Sequence, residues 1–113
     1  MYIIKTMVDT SAVCAEFIGT FIFVLVVQMV AGSGVSPVVA GFPIGIGLAA
    51  MVLAFGALSG GHFNPAVSTA MVANKTIDGA TYVSYLAAQF FGAFLSVAWY
   101  QGAYKNCQPK TAP

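Results

Sequence analysis

Three long apolar runs divide the chain, with short polar stretches between them. The first extends from about Thr10 to Ala31, "TSAVCAEFIGTFIFVLVVQMVA", and its only ionisable residues are Cys14 and Glu16. The second, from about Val38 to Leu58, is rich in glycine and carries Pro43 near its start. The third, from about Ala80 to Ala103, ends in Trp99, Tyr100 and, just beyond it, Tyr104. Each is close to the ~20 residues that a helix needs to cross a ~30 Å hydrocarbon core. The terminal aromatics resemble an interfacial belt. "GSGVSP", 32–37, reads as a turn, with Pro37 suited to the first turn of the next helix. "KTIDG", 75–79, is a polar turn, and 104–113 a polar, loose tail. Two more apolar runs follow the first, which has Asp9 and Glu16 close by, so it reads as a retained span rather than a signal peptide.

Between the second and third runs the pattern breaks at "SGGHFNPAVS", 59–68. "SGGHF" interrupts the helix, Asn64 is a good N-cap and Pro65 a good first helical residue. The stretch 65–74, "PAVSTAMVAN", predicts a short helix ending at Asn74. Ten residues rise roughly 15 Å, about half the core thickness. Such a helix dips into the membrane and stops, provided that protein or water covers it. Its free N–H groups present about half an elementary positive charge where it begins. Gly60 and Gly61 permit a sharp entry, and Asn64 adds an amide donor. A donor-bearing, positive-ended point within an apolar wall orients neutral polar molecules and repels cations.

Composition supports a lipid setting. Of the 113 residues, 59% are hydrophobic and only 6% charged, against roughly 25% charged in a soluble domain. There is no arginine and the net charge is +1, so nucleic-acid binding has no electrostatic footprint. The chain therefore reads as an all-α integral membrane protein with lipid around it. The particular membrane is not legible.

Other polar residues suggest little chemistry. His62 is the only histidine and has no second ligand or acid beside it, so it reads as a loop-shaping hydrogen-bonding group rather than a metal ligand or base. Ser59 and His62 lack the third member of a hydrolytic triad. Cys14 and Cys107 form no motif; Cys14 is expected to be buried and Cys107 free. Gln28 is expected near the membrane surface. Gly41, Gly45 and Ala49 fall four apart on one face, a spacing that lets two membrane helices pack closely. "NKT", 74–76, matches a glycosylation sequon. No cofactor or metal is expected, and no enzymatic activity.

The decapeptide "SGGHFNPAVS" resembles the signature of the aquaporin and glycerol-facilitator family, the major intrinsic proteins. "AEFIGTFIFV", with Glu16, resembles that family's first span, and "AAQFFGAF", with Gln89, its third. The motifs also come in the family's order, over roughly residues 10–104. The resemblance implies a single aquaporin-like repeat of three spans and one re-entrant half-helix. It places Asn64, Pro65 and Ala66 at the pore centre, with Gly60, Gly61 and His62 lining the approach. It makes Glu16 and Gln89 polar braces of the re-entrant loop. The family's second-span filter position falls on Ile44, and Val67 follows the Asn-Pro-Ala turn. These aliphatic side chains count against strict water selectivity. It also leaves the sequon on the cytoplasmic side, unmodified.

The family's pore takes two inverted repeats, and this sequence matches the first. One repeat cannot enclose a pore without exposing polar backbone to lipid. The expected function is passive passage of water or small neutral solutes such as glycerol, in an oligomer. The other half would come from a second aquaporin half or from an inverted copy of this chain. The alternative is a fragment or accessory subunit that associates with a full-length channel and does not conduct alone. Lys5 and Lys75 are expected on one side and Lys105 and Lys110 on the other. That balance lacks a positive-inside bias and is compatible with insertion both ways.

Overall fold

The computed structural model describes residues 8–109; Lys5 and Lys110 lie outside them. Helix α1 is Thr10–Gly32, α2 Pro37–Ser59, α3 Pro65–Ala73 and α4 Gly79–Trp99. A π-helical turn, Tyr100–Tyr104, and a last short helix α5, Lys105–Cys107, prolong α4. Helix thus continues past residue 103, where the sequence suggested a loose tail. Three of the helices are long and apolar enough to cross a membrane. The protein is an integral, multi-pass membrane protein.

The helix starts follow from local chemistry. Asp9, Ser36, Asn64 and Asp78 are the N-caps of α1 to α4, each with a side-chain oxygen accepting a backbone N–H of the first turn. These bonds satisfy donors that a helix start leaves free. Pro37 and Pro65 follow their caps directly, where the missing N–H is harmless. Pro43 lies inside α2. It removes one intrahelical donor, and the helix runs on through it.

Helix α1 is the centre of the bundle and packs against both α2 and α4, while α3 packs against α4. Among the described residues, α2 meets no helix but α1. Small residues set the close approaches. A Cβ on Gly92 of α4 would sit 2.6 Å from the Phe17 carbonyl oxygen of α1. A Cβ on Gly47 of α2 would meet Val26 of α1 at 3.0 Å. The α1–α4 seam is lined by Ala12, Ala15, Glu16, Gly19 and Thr20 on one side. Tyr85, Ala88, Gln89, Gly92 and Ser96 line the other.

Three expectations change or gain detail here. Cys14 is exposed on the outside of α1 rather than buried, because the buried positions 12, 15, 16 and 19 take the face toward α4. Gln28 gains a partner that its position in the sequence did not reveal: its Nε2 donates to Ser96 Oγ at 2.8 Å and ties α1 to α4. A Cβ on Gly41 or Gly45 would meet nothing within 4 Å. Their small-residue stripe therefore has no partner among the described residues.

Candidate functional site

The site is the loop between α2 and α3, and it is built on positive φ angles. Helix α2 ends at Gly60 (φ 89°), followed by Gly61 (φ 68°). Both conformations suit residues without a Cβ. Phe63 takes φ 50° although it has a side chain. Burial and hydrogen bonding hold it there. Its ring is 1% exposed and lies against Gly19, where any Cβ would collide with it. Its N–H donates to Glu16 Oε2 at 2.7 Å.

Glu16 is the hub. Its Oε1 accepts from Ser59 Oγ (2.6 Å) and from the His62 N–H (2.9 Å). Its Oε2 accepts from the Phe63 N–H and from Gln89 Nε2 (2.9 Å). Both oxygens thus carry two donors, which is what makes a fully buried carboxylate tolerable in this setting. A turn of irregular backbone exposes N–H groups that no helix satisfies, and the carboxylate from α1 collects two of them.

A second tier surrounds the hub. Gln89 Nε2 also donates to Ser68 Oγ at 2.8 Å, so one amide joins α4, α1 and α3. His62 Nδ1 lies 2.9 Å from the same Ser68 hydroxyl. The Nε2 edge of the imidazole is left beside Gly60, whose added Cβ would meet it at 3.4 Å. Tyr85 donates its hydroxyl to the Ser59 carbonyl at 2.8 Å. Its ring meets that of His62 edge-on, with centroids 5.2 Å apart. Ser59 Oγ accepts from the Gly61 N–H at 3.1 Å. The loop is thus fastened to three helices through polar groups.

Asn64 faces the other way. It is exposed, and its Oδ1 accepts from the Ala66 N–H at 2.9 Å. That bond orients the amide so that its Nδ2 donor points away from the cap. Ala66 and Val67 are exposed beside it, at the start of α3. Ile44 is half-buried on α2, which does not touch α3. The structure therefore brings Glu16, Gly60, Gly61, His62 and Gln89 into one knot. It sets Asn64, Pro65, Ala66 and Val67 on that knot's open side, and leaves Ile44 on a different helix.

Sequence reasoning passed over Ser68 and Tyr85 and gave Ser59 no structural part. A usable signal existed: Tyr85, Gln89 and Ser96 recur at helical spacing, on one face of an otherwise apolar span. Among the described residues, no group of three metal-ligating side chains occurs.

A membrane bundle whose main polar cluster pins a half-length helix in place defines a narrow class of proteins. The sequence matches the Major intrinsic protein family over residues 4–112, and the chain belongs to that family. It is 42% identical to glycerol uptake facilitator protein-like 6 of Lactiplantibacillus plantarum, over 74% of this chain and 39% of that protein. It is 42% identical to mouse (Mus musculus) aquaporin-4, over 74% of this chain and 28% of that protein. It is 36% identical to aquaporin AqpM of Methanothermobacter marburgensis, over 74% of this chain and 44% of that protein. The matched region therefore spans less than half the length of each of these relatives. No solved structure gives a significant match.

Proposed function

We propose that this chain supplies one half of a passive, non-enzymatic channel for water or small neutral solutes, completed by a second repeat. The observation that carries the reading is the exposed Asn64 amide at the N-terminus of a nine-residue helix, anchored from behind by Glu16. Nine residues rise roughly 14 Å, too short to cross the membrane. The helix thus brings its positive end and an amide donor to an interior point. A neutral solute exchanges hydrogen bonds with Asn64 as it passes, while the helix dipole opposes cations. Ile44 and Val67 narrow the path with aliphatic surface, a lining that also suits a small polyol. One relative is named for glycerol uptake, which agrees with that solute class.

The second half packs on the bare face of α2 and over the open side of Asn64. A second aquaporin-like half or an inverted copy of this chain meets that need. The test is osmotic swelling of proteoliposomes holding this chain alone, or co-reconstituted with a second repeat of the family. Flux in the chain-alone vesicles that Asn64→Asp abolishes identifies the inverted homodimer. Flux that needs the added repeat identifies a half-channel. Background flux in both, with the chain inserted and helical, overturns the channel reading in favour of a non-conducting accessory subunit.

A further inference from the structure

A second polar feature lies away from the loop, where α1 and α4 end together. The two helices run parallel: Glu16 meets Gln89, Gln28 meets Ser96, and Gly32 lies against the Tyr100 hydroxyl. Beyond Trp99 the helix widens into a π turn, closed by the Lys105 N–H donating to the Tyr100 carbonyl. In a regular helix, residues five apart diverge; side chains three or four apart are neighbours. The wider turn gathers Tyr100, Tyr104 and Lys105 on one side. The two tyrosine rings stack with centroids 5.3 Å apart, and Lys105 Nζ stands 5.3 Å from the centroid of the Tyr100 ring. Single π turns of this kind mark functional sites more often than chance allows.

These residues wall a cleft of about 530 Å³ together with Met29, Ser33 and Gln108. Met29 is its apolar member, and the polar lining comprises two phenol groups, the Gln108 amide, the Lys105 ammonium and Ser33, whose hydroxyl donates to the Val30 carbonyl and keeps its lone pairs free. The acids of the chain number three, and none is here. Asp9 and Asp78 cap the opposite ends of α1 and α4, and Glu16 is occupied in the loop knot. The carbonyl ends of the two helices carry about half an elementary negative charge each, and Lys105 supplies the one full positive charge of the cleft lining.

We propose that this cleft binds a phosphate anion, and that the anion is the headgroup of an acidic membrane lipid. A hydroxyl-rich pocket with one ammonium suits phosphate oxygens. The apolar Met29 side chain, at the end of a membrane-crossing helix, suits a phosphate that carries an acyl chain rather than a free ion. Aromatic rings at the end of a membrane-crossing helix suit the headgroup level of a bilayer.

The test uses Trp99, the single tryptophan, which directly precedes the π turn. The full chain is placed in phosphatidylcholine vesicles doped with acyl-brominated phosphatidylglycerol or with acyl-brominated phosphatidylcholine. Quenching of Trp99 reads the relative association of each. The anionic lipid is expected to associate in preference, and Lys105→Gln to lower that preference about fivefold. The Tyr100→Phe/Tyr104→Phe pair, which keeps the charge, is expected to lower it about twofold or more. Lys75→Gln, at the other end of the bundle, is expected to leave it unchanged. Circular dichroism shows that each variant is helical. Equal association of the two lipids overturns the proposal. So does a Lys75→Gln effect equal to that of Lys105→Gln, or no effect of removing the hydroxyls. Loss of the preference on adding inorganic phosphate at constant ionic strength assigns the cleft to a soluble anion and overturns the lipid headgroup as its occupant.

Discussion

The knot around Glu16 and the outer face of α2 lie on adjoining helices and are built on opposite terms. Glu16 is fully buried and meets four donors from three different segments. Along α2, Val38, Phe42 and Leu53 are 81%, 73% and 88% exposed, and a Cβ on Gly41 or Gly45 would meet nothing within 4 Å among the described residues. In the first region both Glu16 oxygens find their donors within this chain, and Gln89 Oε1 is the knot's buried atom without a partner among the described residues. The second is apolar and open, which lipid tolerates but does not shape. Polar groups at membrane depth must be satisfied by the fold itself. Apolar faces carry no such demand, so they are free to wait for a partner. The contrast separates what holds the half-helix from what would complete a pore.

Removing the hub should have the largest effect. Glu16→Ala leaves two backbone N–H groups, the Ser59 hydroxyl and one of the two Gln89 amide N–H groups without an acceptor, at ~1–3 kcal/mol each. Allowing for relaxation, a loss of about 5 kcal/mol is expected, read by denaturant unfolding in detergent, with faster proteolysis at 59–64. A loss below about 1 kcal/mol would mean that the loop is held by something other than the carboxylate. Glu16→Gln should fall between, since its amide keeps one accepting oxygen.

Next in size is the seam that brings α4 close enough for Gln89 to reach Glu16. Gly92→Ala puts a methyl group 2.6 Å from the Phe17 carbonyl oxygen, a backbone atom that cannot rotate away. Overpacking of this kind costs about 1–3 kcal/mol. Thermal unfolding in detergent would show it; an unchanged midpoint would mean that the helices are less closely apposed.

On the open region the expectation reverses. Gly45→Ala adds its methyl group to empty space and should alter the chain's own stability by no more than ~0.5 kcal/mol. Its effect should appear only on association with a second half, measured by co-purification or by energy transfer in vesicles. A variant that weakens neither would show that this face is not where the partner packs.

The smallest effect belongs to neither region. Asp78 is exposed and caps α4, accepting the Thr81 N–H at 2.7 Å. That hydrogen bond holds its carboxyl below the usual value of 3.8. A carboxyl lowered in the folded state adds stability that is fully present above its unfolded pKa. That contribution is lost as pH falls through the lowered folded value. A small acid-side fall in helix stability is therefore expected in the native chain. It should be absent in Asp78→Asn, which keeps a capping oxygen and does not titrate. Circular dichroism against pH checks it; equal profiles would remove Asp78 from the account.

Much of this architecture was legible along the chain. The spans follow from run length and composition, because a helix in lipid needs only apolar side chains over enough residues. The start of α3 follows from Asn64 and Pro65, since capping and a fixed φ act within a single turn. The family belongs with these local features, because its motif is read from contiguous residues. What spacing alone left open was the set of partners. Glu16 reads as an isolated acid until residues 43 to 73 positions away in the chain arrive at its oxygens. Gln28 shows no partner until Ser96 meets it, and Cys14 reads as a buried residue until α4 takes the other face of α1. A hydrogen bond between segments depends on how two helices cross, and no local pattern encodes that. The tertiary structure also decided which polar residues turn inward and which side stays bare: Gly92 and Gly19 let α4 and the loop approach α1, while among the described residues α2 has α1 alone to rest on.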